Sequence, residues 1–279
     1  MRQRLRVDSG RDNGGIATNI THDTRRPLLG RVVLAGLATA FLVLGFAALA
    51  VRPARAADAT APAAVTTLAT ATPLPALMAD TAGARQLIIA VGADLGSTTG
   101  TLQVYELTDD GWVRRLSVPA RFGRHGLMDG TRRKAGNLTT PTGIWAMPNY
   151  MFGTHTRGPL GSNIGYRRLN SRSWWSSKKG STYNIWVQAK HWTGEHIGGS
   201  RKAYEFAIST GYNAKPNLSV YGRGTGIFLH VRGPGLTSGC VSISRSNMIR
   251  VCRMLDRSKA PHFAIGTLQV GAPTSIWAY

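Results

Sequence analysis

The feature that most constrains this chain is a missing one: between residues 113 and 226 no long stretch carries the helical period. Short apolar runs there alternate with Gly, Pro and Asn, which interrupt helices and start turns. A segment built this way buries its apolar surface in sheets and leaves long loops for function. The residues just before it agree. Residues 86–91 are almost continuously apolar and read as a first strand, and residues 101–107 alternate with period two and read as a second. Asp109, Asp110 and Gly111 then turn the chain into Trp112 and Val113, a hairpin signal. One helix is expected, over 246–257, where Met248, Val251, Cys252 and Leu255 recur at i, i+3, i+4 and i+7. Ser246 suits its N-cap, Pro261 marks its stop, and residues 263–265 read as a last strand. The fold class expected is mainly β, with residues 85–279 forming one domain around a sizeable core.

The first 84 residues are of another kind. Twenty uncharged, mostly apolar residues, 32–51, follow Arg25, Arg26 and Arg31 and precede Ala54, Arg55 and Ala56, an A-x-A-type site. A basic start, an apolar core and a small-residue cleavage site read as an export signal. Twenty residues also suffice to span a bilayer, so residues 1–56 are a signal peptide or a retained amino-terminal anchor. Residues 57–84 shift to Ala, Thr and Pro, with little to bury, and read as a flexible linker. The domain after it is expected to work outside the cytoplasmic membrane, secreted or anchored.

Chemistry concentrates in residues 227–242. Ile227, Phe228 and Leu229 lead into His230 and Val231, then Gly233, Pro234 and Gly235 supply a bend, and Gly239 stands directly before Cys240. Strand, turn and strand would bring the imidazole and the thiol together although ten positions separate them. A thiol beside an imidazole is the minimal apparatus of covalent acyl transfer: the ring takes the proton, the sulfur attacks a carbonyl, and the proton returns to the leaving amine. Gly239 has no Cβ, so backbone N–H groups at 239 and 240 can point at one spot and stabilise an oxyanion, at roughly 3–4 kcal/mol per donor. The competing reading is an inert thiol packed in the core. As general base His230 needs an acceptor for its Nδ1; the nearest acidic residues in sequence are Glu205 and Asp256. Cys252 lies on the helical stripe and reads as a buried thiol, the rival being a disulfide with Cys240.

The block containing His230, Thr237, Ser238, Gly239 and Cys240 resembles the catalytic motif of the L,D-transpeptidases, the YkuD-like domain. Residues 140–145, 204–213 and 224–226 fit the same domain, over about residues 85–270, and the short His-to-Cys loop is most similar to actinobacterial members. The resemblance implies a β-sandwich-like catalytic domain with one helix after the nucleophile, and a peptidoglycan 3→3 cross-linking enzyme. It implies Cys240 as nucleophile, His230 as general acid and base, the Val231 carbonyl as orienter of His230, and Gly239 as a backbone oxyanion donor. Tyr212, Asn213 and Ser238 are implied in substrate binding, Ser238 standing where the commoner pattern has a histidine. The partners implied are peptidoglycan stem peptides, and no cofactor is. An L,D-carboxypeptidase, another cysteine amidohydrolase of the wall, or a non-catalytic wall-binding module are the alternatives.

Two other clusters are less specific. His191, Glu195 and His196 lack the helical zinc spacing, and Gly194, Gly198 and Gly199 favour a loop, so no metal is expected. Trp174, Trp175, Trp186 and Trp192 suit either a sugar-binding groove or packing. Residues 1–56 carry nine basic and three acidic side chains, so the chain's net charge of +21 leaves +15 on the rest. No nucleic-acid-binding module accompanies that charge; the expected polyanion is the cell envelope, not nucleic acid.

Overall fold

The computed structural model describes residues 72–279 apart from residue 201; the expected export segment and residues 57–71 of the expected linker lie outside the described residues. Residues 72–84, expected as flexible linker, are instead ordered: Leu74–Leu77 form a short 3-10 turn, and Leu74 and Met78 pack against a small core that contains Leu87 and Ile89. The first strand, β1 (Gln86–Gly92), is buried along its length, as its unbroken apolar sequence requires. Its side chains alternate between two interiors. Ile88 and Ala90 enter the larger core, whereas Leu87, Ile89 and Val91 enter a smaller one with Ala264 and Ile276. β2 (Thr99–Thr108) and β3 (Gly111–Arg121) form the expected hairpin, with Asp109 and Asp110 as its two-residue turn. The segment without helical period supplies β4 (Leu127–Asp129), β5 (Thr140–Ala146), β6 (Tyr150–Gly153), β7 (Gly165–Arg168), β8 (Ser173–Ser176), β9 (Trp186–Gln188), β10 (Gly194–Glu195) and β11 (Phe206–Ser209). β12 (Phe228–Val231), β13 (Val241–Ile243), α1 (Arg245–Met254) and β14 (Pro261–Thr267) complete the fold.

Eleven strands form one mixed sheet in the order β4-β5-β14-β1-β2-β3-β13-β12-β11-β6-β7, while β8, β9 and β10 form a small antiparallel sheet. Strands far apart in that order share one interior: Phe263 and Ile265 of β14 lie in the same cluster as Ile208, Leu229 and Val241. The sheet is therefore curled around its core, and Met248, Val251, Cys252 and Leu255 dock onto it. The domain is mainly β with one α-helix among the described residues.

The helix stripe is where the sequence places it, but its ends differ from the expected 246–257. Ser244, not Ser246, is the N-cap, its hydroxyl accepting the Asn247 N–H, and Leu255 leaves the helix in extended conformation. Asp256 then caps a separate short 3-10 turn, Arg257–Lys259. β14 is longer than the expected 263–265 because it pairs in parallel with β1 from Gln86 opposite Pro261 to Gly92 opposite Thr267. Partner strands, not local propensity, set its length.

Candidate active site

β12 carries His230, and Cys240 stands directly before β13. The Gly-Pro bend suggests a chain folding back on itself; the strands are instead parallel, with Leu229 opposite Val241 and His230 opposite Ser242, and residues 232–240 cross over between them. Cys240 stands one residue before this ladder and its sulfur accepts the Phe228 N–H; continuing the register by one residue sets it on the face of His230, two residues along. Two residues along and one strand across separate their Cα atoms by about 8 Å, within reach of an imidazole and a thiol.

The sulfur is turned into the protein. Its S–H donates to the Gly226 carbonyl oxygen at 3.2 Å, it accepts the Phe228 N–H at 3.4 Å, and it packs beside a cluster containing Phe228, Tyr204, Trp175 and Phe152. The residue keeps some solvent access, but burial, then the Glu195 carboxylate, push the thiol up to about 12. Cys252 is likewise free, fully buried in the larger core. His230 is 8% exposed, and burial pushes its pKa below the ordinary histidine value. Its Nδ1 lies 2.8 Å from the Val231 carbonyl oxygen; because a carbonyl only accepts, the neutral ring carries its proton on Nδ1 and presents a bare Nε2.

Several backbone and side-chain groups named by the motif are already engaged. Gly239 N–H donates to Thr237 Oγ1 at 3.1 Å, so it is not a free oxyanion donor in this arrangement. Gly239 is nonetheless required as glycine. Its φ is +134°, and a Cβ there would lie 2.8 Å from both the Arg133 Nη2 and the Thr139 carbonyl oxygen. Tyr212 and Asn213 are hydrogen-bonded within the protein. The Tyr212 hydroxyl lies 3.0 Å from the carbonyl oxygens of Gly130 and Arg223. The Asn213 amide donates to the Val220 and Gly224 carbonyls and accepts the Val220 N–H. Both residues are buried and pin the loop of residues 220–226 that leads into β12. Ser238 is exposed.

Three residues that the motif does not contain surround the thiol. Arg133 is 4% exposed; its Nε donates to the Thr139 carbonyl and its Nη1 to the Arg223 carbonyl. Its charge lowers the Cys240 pKa, against the larger effect of burial. Glu195 reaches from β10 to the hydroxyl of Tyr204, and burial raises its carboxyl pKa. Tyr204 is buried, packed edge-on against the His230 ring at 5.6 Å. Nothing in the sequence ties these three to residue 240, since 36 to 107 positions intervene. Glu205 and Asp256, the acids nearest in sequence, go elsewhere: Glu205 pairs with Arg245 and His155, and Asp256 caps the 3-10 turn.

The other clusters resolve into packing. His196 stacks on Trp174 and its Nε2 bonds the Ser171 carbonyl, while Glu195 points to Tyr204; no three potential metal ligands meet among the described residues. Trp175 is buried, its Nε1 donating to Asn184, and Arg167 lies over both Tyr150 and Trp186. Only Trp192 of the four is largely exposed, at 63%.

The chain matches the family model YkuD, described as the L,D-transpeptidase catalytic domain, over residues 88–274. No curated protein matches it. Among solved structures it is similar to Bdellovibrio bacteriovorus Bd1075, at 15% identity and a TM-score of 0.35, over 67% of this chain and 50% of that one. The chain thus spans half the length of that relative.

Proposed function

This chain belongs to the L,D-transpeptidase catalytic domain family, cysteine-dependent acyltransferases of the cell wall, and on that basis we propose that it forms 3→3 cross-links in peptidoglycan. Cys240 attacks the carbonyl between the third residue of a donor stem and its terminal D-alanine. His230, through Nε2, takes the thiol proton and passes it to the departing amine of D-alanine, leaving a thioester. The side-chain amine of a diamino acid on a second stem attacks that thioester, His230 returns the amine's proton to sulfur, and a new amide forms. The observation carrying this reading is the shared sheet face of Cys240 and His230, with His230 oriented by the Val231 carbonyl.

Because the resting thiol donates to Gly226, it must rotate toward His230 to react. Its raised pKa and the lowered pKa of His230 describe a neutral pair in the resting enzyme, so deprotonation accompanies attack. The Cys240 N–H is the first oxyanion donor; Gly239 adds a second on releasing Thr237 Oγ1. Residues 1–56 export the domain and the basic surface holds it at the anionic envelope. Incubation with a carbapenem followed by mass spectrometry of the intact protein tests the chemistry. An adduct is expected on the unmodified protein and none on Cys240→Ala; equal labelling of both removes Cys240 as nucleophile. Tetrapeptide stems with and without an amine acceptor then separate cross-linked dimer from the tripeptide of simple hydrolysis.

A further inference from the structure

We propose that Glu195, held by Tyr204, is the residue that receives the acceptor amine as an ammonium ion. The proposal rests on the transpeptidase reading and names the acceptor side of the same site. Its first support is position. A Cβ on Gly226 would lie 3.0 Å from Glu195 Oε2, and the Cys240 thiol donates to the carbonyl of that same Gly226 at 3.2 Å. The carboxylate and the nucleophile therefore touch one residue between them. Its second support is the carboxylate's company. The chain has three glutamates; Glu106 is paired with Arg115 and Lys259, and Glu205 with Arg245 and His155. Glu195 meets no cation among the described residues, although basic side chains outnumber acidic ones 34 to 13. Its Oε1 accepts from Tyr204, and its Oε2 has no hydrogen-bond donor among the described residues.

A buried carboxylate without a cation is relieved by taking up a proton or by a cationic ligand, and the acceptor amine supplies both in turn. Glu195 is exposed as a residue, while its carboxylate reaches inward to Tyr204 and is raised in pKa by burial. An ammonium group seated there is brought to the thioester that Cys240 forms. It cannot attack until it loses a proton, and burial favours the neutral carboxylic acid of Glu195. The balanced step is transfer of one proton from ammonium to the Glu195 carboxylate, giving a neutral amine and a carboxylic acid. The amine then forms the carbon–nitrogen bond, the carbon–sulfur bond breaks, and its second proton passes through His230 to the departing sulfur. Glu195 returns its proton to water before the next acceptor binds. Tyr204, which contacts both the carboxylate and the His230 ring, is a positioning residue.

The test uses the full chain with a tetrapeptide donor and two kinds of acceptor. One is a stem peptide bearing a diamino acid, cationic at neutral pH; the other is hydroxylamine, which is neutral. For Glu195→Gln, kcat/KM for the cationic acceptor is expected to fall at least tenfold more than acylation of Cys240 does, through KM. Aminolysis by hydroxylamine is expected to follow acylation. Glu195→Asp should recover part of the loss, and acyl-enzyme formation certifies that each variant is folded. If both acceptors fall together, or neither falls, or a variant forms no acyl-enzyme where the unmodified protein does, Glu195 is not the acceptor site. If the unmodified protein is never acylated, the transpeptidase reading fails and takes the acceptor assignment with it.

Discussion

Cys240, the proposed nucleophile, lies between opposed influences that no nearby residue in sequence announces. Burial and Glu195 hold the Cys240 thiol neutral, and Arg133 and the Phe228 N–H act the other way without prevailing. A thiol so held ionises only as the pH approaches about 12. Alkylation of Cys240 by iodoacetamide should therefore keep rising with pH past 9, with no plateau near neutrality. Replacing Arg133 by Met should push that profile further up, and Lys should restore part of it. A plateau below pH 8 in the unmodified protein would show a preformed thiolate–imidazolium pair and contradict the neutral resting state. Arg133 also staples the chain: its loss leaves the Thr139 carbonyl without a donor, a cost of about 1–3 kcal/mol if it stays dry, whereas the Arg223 carbonyl keeps the Tyr212 hydroxyl within reach. The residues nominated from sequence were those that stand at a short spacing, namely His230, Gly239 and Cys240, and the roles proposed for them rest on that spacing and the family match. Tyr212 and Asn213 were legible as part of the same domain, but their hydrogen bonds run to the loop of residues 220–226, which spacing does not reveal.

At the scale of elements, period is the reliable signal and ends are not. The stripe of α1 follows from 3.6-residue geometry, and all four of its apolar members lie in the larger core. Its start was misplaced at Ser246, because spacing does not show that Ser244 is the residue whose hydroxyl reaches the Asn247 N–H. Ser244→Ala should lower unfolding free energy by about 1 kcal/mol, and Ser246→Ala by less than about 0.5 kcal/mol, as read from urea denaturation. Equal losses would mean the cap is shared, since the two hydroxyls lie 3.2 Å apart. The parallel pairing of β12 and β13 was hidden for a different reason. A Gly-Pro bend permits either a hairpin or a crossover, and only the neighbours select one. β13 pairs with β12 on one side and with Arg121 of β3 on the other.

For the whole molecule, the two thiols tie stability to pH. Both Cys240 and Cys252 are pushed up to about 12 from an ordinary value of 9.0, chiefly by burial. The folded protein then keeps protons that the unfolded chain releases, so this contribution is intact below pH 9 and declines as pH rises from 9 toward 12. The urea midpoint should fall between pH 8.5 and 10.5, and Cys252→Ala should make the fall shallower. An unchanged slope would mean that Cys252 titrates alike in both states. By itself the sequence determined the mainly β class, the hairpin at Asp109 and Asp110 and the apolar stripe of the helix, and it nominated Cys240 and His230 as a pair. Each rests on periods, turn preferences and spacings that are local. Only the tertiary structure decided that β12 and β13 run parallel, that Gly239 N–H is engaged by Thr237, and that Arg133, Glu195 and Tyr204 surround the sulfur. These depend on how the curled sheet closes over its core, and that closure is set by the summed burial of residues far apart in the chain.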